Sequence, residues 1–259
     1  MVEPSARIRA FETTDERRVR FMIGKANLGA LAVANQRVYV HPLTISSWVA
    51  LSCLFIQRMG WWPNPEHGYL GYLSPLPAFA SVAVPIMFLI DWLNRPYFET
   101  LTQEALHRPD IVDIKSYYSR SPSSGLWILD YGTNFVGFIA LDASLDAESN
   151  DPVTSEKQVS KKKGTSRIAV IRHFYVEEQY RGIGIEKDLL DYAVRHAFSS
   201  DSTVRTIKAV DSPLVQHVRE CLRSGGFQLQ KHTKTVGMMG WKLGERILER
   251  SEWEKADKE

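Results

Sequence analysis

Gln179, Gly182 and Gly184 are spaced Gln-x-x-Gly-x-Gly between two regular segments of the chain. Upstream, residues 168–176 are rich in β-branched and aromatic side chains and read as a strand. Downstream, Ile185, Leu189, Leu190, Ala193, Val194, Ala197 and Phe198 recur at helical spacing. A glycine turn that opens a helix leaves unpaired backbone N–H groups pointing outward. It also lets a ligand come close to the main chain. With the positive end of the helix dipole added, the predicted chemistry is pyrophosphate binding. The groups on offer are the main chains of Arg181, Gly182, Ile183, Gly184, Ile185 and Glu186, with Val176 and Gln179 at the entrance. The spacing excludes a Gly-x-x-x-x-Gly-Lys-Ser/Thr loop, and no third glycine completes a dinucleotide fingerprint. A plain strand–turn–helix with two turn glycines is the competing reading.

The elements that must position this loop are mixed α and β. Arg7 to Phe11 reads as a short strand, followed by a helix capped at Thr13 or Thr14 with Asp15 and Glu16 in its first turn. Residues 97–118 read as helical, broken near Pro109. Residues 126–131 and 135–141 form a hairpin. Residues 142–166, which lack aromatics and carry Lys161, Lys162 and Lys163, read as a solvated, disordered loop. After the glycine loop and its helix, residues 204–210 are a strand. Ser212 and Pro213 start a helix that Gly225 and Gly226 stop. Residues 227–231 and 238–243 supply the last strands, and a charged tail begins at Glu245.

Two apolar runs interrupt this pattern. Neither His41 to Gln57 nor Leu70 to Ile90 holds a charged residue, and each approaches the ~20 residues that cross a bilayer. Trp61, Trp62, Tyr69 and Tyr72 lie between them, and Trp92 and Tyr97 follow the second, as rings at a membrane interface would. Lys and Arg cluster before the first run, from Arg7 to Arg37, and after the second, at Arg95, Arg108 and Lys115. Between the runs only Arg58 is basic, which predicts both termini on the cytosolic side. Pro42, Pro75, Pro77 and Pro85 leave a re-entrant hairpin as an alternative to a full crossing, and two buried core helices as another. No cleavable signal peptide is expected.

The chain has 259 residues and a net charge of +2, with no basic–aromatic patch, so no nucleic-acid partner is expected. Cys53 and Cys221 offer neither a disulfide framework nor a metal cluster. The implied organisation is a first strand and helix over 1–37, a membrane hairpin over 38–93, the remaining domain over 94–244, and a charged tail over 245–259.

The glycine loop after a strand resembles the acetyl-CoA loop of the GCN5-related N-acetyltransferase (GNAT) family. The element order β-α-(hairpin)-α-β-β-β-α-β-α-β-β is that family's order with a hairpin inserted after the first helix. Ile8, Arg9 and Phe11 with Asp15, the double apolar run, Asp110 to Tyr118, Gly125 to Ile128 and Val136-Gly137 are similar to its membrane-bound NAT8/camello-like branch. The resemblance implies a GNAT fold: a mixed, mostly antiparallel sheet flanked by helices, with an inserted transmembrane or re-entrant hairpin. It implies a membrane-anchored acetyltransferase moving acetyl from acetyl-CoA to an amine of a small molecule or protein, at the endoplasmic reticulum, with a cytosolic catalytic domain and no metal. The expected partners are acetyl-CoA, an amine substrate and the lipid bilayer, with a membrane protein as a further candidate.

The family often protonates the leaving thiolate with a Tyr five residues ahead of a Gly-Phe pair. Here the pair is Gly226-Phe227 and the position is Leu222. Tyr175, His173 and Glu177, beside the loop, are the remaining candidates for proton transfer. A catalytically inactive GNAT-like binding or chaperone module at the membrane is the alternative function.

Overall fold

The computed structural model describes residues 6–63, 68–149 and 163–256. In chain order the strands are β1 (Ala6–Ala10), β2 (Gly125–Tyr131), β3 (Asn134–Ser144), β4 (Thr165–Val176), β5 (Thr206–Asp211), β6 (Gln228–Val236) and β7 (Trp241–Glu249). The helices are α1 (Glu16–Tyr39), α2 (Pro42–Met59), α3 (Gly68–Gly71), α4 (Leu76–Leu106), α5 (Pro109–Val112), α6 (Ile114–Tyr118), α7 (Ile185–Ser200), α8 (Gln216–Ser224) and α9 (Arg250–Ala256). They divide into two compact units. One holds Met1–Asn27, Thr100–Val236 and Trp241–Glu259; the other holds Leu28–Glu99 and Gly237–Gly240.

The larger unit is a seven-stranded sheet in the order β1-β2-β3-β4-β5-β7-β6. Every pairing is antiparallel except β4 with β5. Successive strand residues face opposite sides, and both faces are covered. Leu129, Ile139 and Leu141 pack with Leu189, Ala193 and Phe198 of α7 and Leu222 of α8. Ile128, Phe138 and Ala140 pack with Val19 and Ile23 of α1 and with Ile114 and Tyr117 of α6. Ile139 and Phe138 are fully buried on opposite faces, and each such side chain contributes roughly 1.5–3 kcal/mol.

Four expectations from the sequence are corrected. The first helical turn is capped by Glu12, which exchanges bonds with Asp15 in a capping box, rather than by Thr13 or Thr14. α8 starts at Gln216 rather than at Pro213, because Ser212 uses its Oγ and C=O to hold a turn against the N–H groups of Leu214 and Val215. The segment from Asp142 is ordered at both ends. Asp142 and Ser144 end β3 and are buried, satisfied by each other at 2.6 Å. Residues 150–162 of that segment, with Lys161 and Lys162, lie outside the described residues. Lastly, Glu245 begins no tail. It sits within β7, opposite Val210 and Lys231, with the Nζ atoms of Lys208 and Lys231 at 3.5 and 3.6 Å. Next to it Arg246 is buried on Asp211 (3.0 Å) and the Phe227 carbonyl (3.0 Å). Cross-strand neutralisation lets this charge-rich stretch run through the sheet.

In the smaller unit α2 follows α1 after a 61° bend. His41 caps α2 by accepting the Leu43 N–H, and Pro42 occupies its first turn. The Trp48 indole donates to the Phe79 carbonyl of α4 at 2.9 Å, and the two rings meet edge to face. At the other end of the unit Asn35 donates to Asp91 (2.8 Å), and Asn94 donates to Asn35 (2.9 Å) while accepting the Met238 N–H (2.9 Å). Among the described residues α4 is the one helix long and apolar enough by itself to cross a membrane; α1 and α2 pass that test only as a bent pair. The second apolar run is divided: α3 and a turn precede α4, while Pro85 and Pro96 lie inside α4 without ending it. Residues 64–67 lie outside the described residues.

Gly137 of β3 stands opposite Val176 at the end of β4. A Cβ there would lie 2.5 Å from the Tyr175 carbonyl oxygen and 3.0 Å from Val176 Cγ2. A backbone oxygen cannot retreat without unpairing the strands. Gly137→Ala is therefore expected to destabilise the larger unit by ~1–3 kcal/mol. Urea unfolding measures this, and an unchanged midpoint would contradict the packing described.

Candidate active site

The site begins where two parallel strands part. β4 pairs with β5 over Ile168–Ile171 against Thr206–Ala209, and then continues to Val176 on β3 alone. The β3–β4 register shifts at the same place. Ile171 stands opposite Leu141 and His173 opposite Ala140, leaving Arg172 as an extra residue. Such a bulge bends and twists its strand. It also changes which face each side chain meets. Ala169 and Ile171 face α7, but beyond the bulge it is Phe174 and Val176 that do so, and Tyr175 turns to the α1 and α6 side.

Arg172 is held in place by its ion pair. Its side chain is 2% exposed; Nε meets Asp142 Oδ2 at 3.0 Å, and the guanidinium also donates to the carbonyls of Ala147 and Ser149. Burial opposes its charge, but Tyr117, Asp142 and Asp110 outweigh that and its pKa is raised. Asp142 also accepts from the Tyr117 hydroxyl at 2.8 Å. Burial, with Asp142 beside it, raises the Tyr117 pKa.

The three proton-transfer candidates fare differently. His173 is tied inward: Nε2 lies 2.8 Å from Asp110 Oδ2, which also accepts from the Tyr118 hydroxyl at 3.1 Å. Although burial pushes the other way, His173 leads the groups that hold the Asp110 pKa down. This dyad fastens α5 to the sheet. Tyr175 and Glu177 come together at the end of β4, the Tyr175 hydroxyl donating to Glu177 Oε2 at 3.3 Å. Lys25 of α1 closes on both carboxylate oxygens, at 2.7 and 2.9 Å. Burial and then Glu177 raise the Tyr175 pKa, while the bond to Glu177 raises that of Lys25. Lys25 carries no sequence signal that sets it apart from the other basic residues between Arg7 and Arg37.

The glycine loop has the backbone expected of it. Gly182 and Gly184 have φ of +78° and +96°, and Gly184 is the N-cap residue of α7. No heavy atom lies within 4 Å of a Cβ placed on either, so the space before the loop is open to a ligand. In the first turn of α7 the Lys187 and Asp188 N–H groups bond the Gly184 carbonyl at 3.0 and 3.1 Å, and a helix leaves the N–H groups ahead of these without an intrahelical partner. Arg181 folds back: Nε donates to the Val176 carbonyl at 2.9 Å and the guanidinium stands 5.9 Å from the Tyr175 ring centre. Gln179 lies exposed in the 3-10 turn Glu178–Tyr180, and Ile183 is exposed at the loop tip. These residues fit a phosphate-bearing ligand.

Helix α8 adds two groups. The Nε2 atom of His217 is buried with no hydrogen-bond partner. Burial, then Arg181, push its pKa down to about 4, so the imidazole is neutral at physiological pH. Its position in α8 carries no sequence signal that separates it from an ordinary helix histidine. Burial, then Glu186, push the Cys221 thiol up to about 12, so it stays protonated and is no nucleophile. Leu222 is 1% exposed in the core facing α7, so that position supplies no proton. Among the described residues no group of three His, Cys, Asp or Glu side chains is placed to hold a metal ion.

No curated protein matches the sequence. The acetyltransferase of GNAT family from Staphylococcus aureus is 12% identical with a TM-score of 0.45, covering 95% of this chain and 100% of that one. The spermidine N-acetyltransferase from Vibrio cholerae in complex with CoA and spermine is 11% identical with a TM-score of 0.44, covering 96% and 97%. Arabidopsis thaliana NAA60 in complex with acetyl-CoA is 16% identical with a TM-score of 0.37, covering 48% and 76%. The model of the acetyltransferase (GNAT) family matches residues 86–227, which is more than half of the chain and runs from within α4 through α8 with the glycine loop inside it. The chain therefore belongs to the acetyltransferase (GNAT) family and is an acetyl-CoA-dependent N-acetyltransferase.

Proposed function

We propose that this N-acetyltransferase is anchored to a membrane by residues 38–93 and that Glu177, bridged to Tyr175 and Lys25, accepts the proton of the attacking amine. The observation that carries the catalytic part is the cluster at the open end of β4. Glu177 is there a partly exposed carboxylate, immediately after the strand edge that β5 leaves unpaired and beside the glycine loop. The main-chain groups of β4 beyond Ile171 offer donors and acceptors to an extended, amide-bearing arm. The first turn of α7 offers N–H groups to the pyrophosphate.

The amine nitrogen attacks the thioester carbonyl carbon. The C–N bond forms, the C–S bond breaks, and the electron pair leaves on the thiolate. The proton released by the amine passes to Glu177, directly or through a water. Lys25 holds that carboxylate in place until the ammonium arrives. With Leu222 where a helix tyrosine is common in the family, the thiolate takes its proton from solvent.

Several features support the membrane part. Large apolar side chains of the smaller unit are exposed: Leu54 (66%), Val84 (66%), Phe88 (71%) and Trp92 (62%) are examples. A surface of that kind marks an interaction site. The exposed rings of Trp61, Trp62, Tyr69 and Tyr72 at one end, and Trp92 and Tyr97 at the other, suit two interfaces. The pairing of β1 with β2, Ala6 opposite Tyr131 through Ala10 opposite Trp127, spans the whole insertion. Strands on opposite sides of a bilayer cannot pair, so the hairpin enters and leaves on one face. Together with the basic residues at its base, this supports a cytosolic catalytic unit. The hairpin's place after α1 supports the camello-like branch and an endoplasmic-reticulum membrane.

Glu177→Gln should lower kcat by ~10²–10⁴ with little change in CoA affinity, whereas Leu222→Tyr should be neutral or faster. Steady-state rates on an amine pool measure both, and full activity in Glu177→Gln would remove the assigned base.

On the membrane side, the full-length chain should resist carbonate extraction, and an impermeant thiol reagent should reach Trp62→Cys only from the side opposite the catalytic unit. Labelling from the cytosolic side would replace the crossing by a re-entrant hairpin. Complete extraction would remove the anchor.

A further inference from the structure

The phosphate cradle already holds a negative group. Glu186 is the second residue of α7, it is 5% exposed, and its Oε1 accepts the Gly182 N–H at 3.1 Å. That donor belongs to the loop whose N–H groups form the anion site. An acidic residue in the first turn of a helix is ordinarily favourable because of the dipole, and an exposed one serves that purpose. Glu186 instead turns back by one turn and is buried against the loop. Its charge also reaches the inner side of α8, where after burial it helps to raise the Cys221 thiol pKa. The nearest loop cation does not answer it, since Arg181 points to the Val176 carbonyl and the Tyr175 ring.

From this geometry we infer that Glu186 is a built-in competitor for the pyrophosphate of CoA, an intramolecular carboxylate that must release the Gly182 N–H before the donor can bind fully. The inference rests on the reading of this loop as the donor site. A phosphate oxygen and the Glu186 carboxylate want the same donor, and like charges cannot share it at close range. The donor site is therefore weak by construction. Acetyl-CoA occupancy responds to its concentration where an unobstructed cradle would be saturated.

The test is calorimetry on the full-length chain in lipid nanodiscs, titrating CoA and, separately, pantetheine, which lacks the phosphates. Glu186→Gln keeps the size and a neutral acceptor; Glu186→Ala frees the N–H entirely. Both variants should bind CoA about tenfold or more tightly than the unaltered chain, with pantetheine affinity unchanged to within roughly twofold. Unchanged or weaker CoA binding in both variants, at unaltered melting temperature, would overturn the inference and leave Glu186 as a helix cap. If the unaltered chain binds CoA and neither variant binds it more tightly, only the role of Glu186 falls. If none of the three proteins binds CoA, the donor-site reading falls and this inference falls with it.

Discussion

The ion pair of Arg172 with Asp142 holds the bulge on which the site depends. A guanidinium buried to 2% exposure is tolerable only with its partners in place. Here the partners come from β3, through Asp142, and from the carbonyls of the turn that follows it. By inserting one residue, the bulge exchanges the two faces of β4. Without it, the alternation of Ala169 and Ile171 toward α7 would continue to His173 and Tyr175. With it, Tyr175 faces α1, Glu177 meets Lys25, and Val176 closes the core under α7. The same insertion coincides with the end of β4–β5 pairing, so one local defect both opens the sheet and aims the side chains at the opening.

Much of this was readable from residue types and spacing. The glycine loop, the helix after it, the order of the elements and the mostly antiparallel sheet all follow from period and turn chemistry. The bulge did not, because residues 168–176 read as one continuous β-rich run and nothing in the residue types marks the phase change at Arg172. Polar residues also misled where tertiary partners satisfy them. Asp142 and Ser144 look like loop residues but close a buried network with Arg120, Arg172 and Tyr117. Glu245 and Arg246 look like a charged tail but are matched across strands. Lys25 joins the site through a contact with Glu177, 152 residues away, and one sequence carries no signal for such a contact.

The insertion between α1 and α4 poses a second constraint. The sheet needs β1 beside β2, and the chain satisfies that over residue-by-residue pairing on either side of the hairpin. Inside the smaller unit, Asn35, Asp91 and Asn94 bond one another at the level where charge reappears in α4. The uncharged stretch of α4 from Leu76 to Ile90 measures about 22 Å, short of the ~30 Å hydrocarbon thickness.

The account stands on transfer of acetyl to an amine from a donor held between the glycine loop and the parted strands. The most direct measurement is single-turnover release of free CoA from acetyl-CoA by the full-length chain, with and without a pool of primary amines. The account predicts thiol release that depends on the amine and appears stoichiometrically with an acetylated product. Binding of acetyl-CoA with no amine-dependent release would contradict it and leave a protein that keeps the donor site without the chemistry.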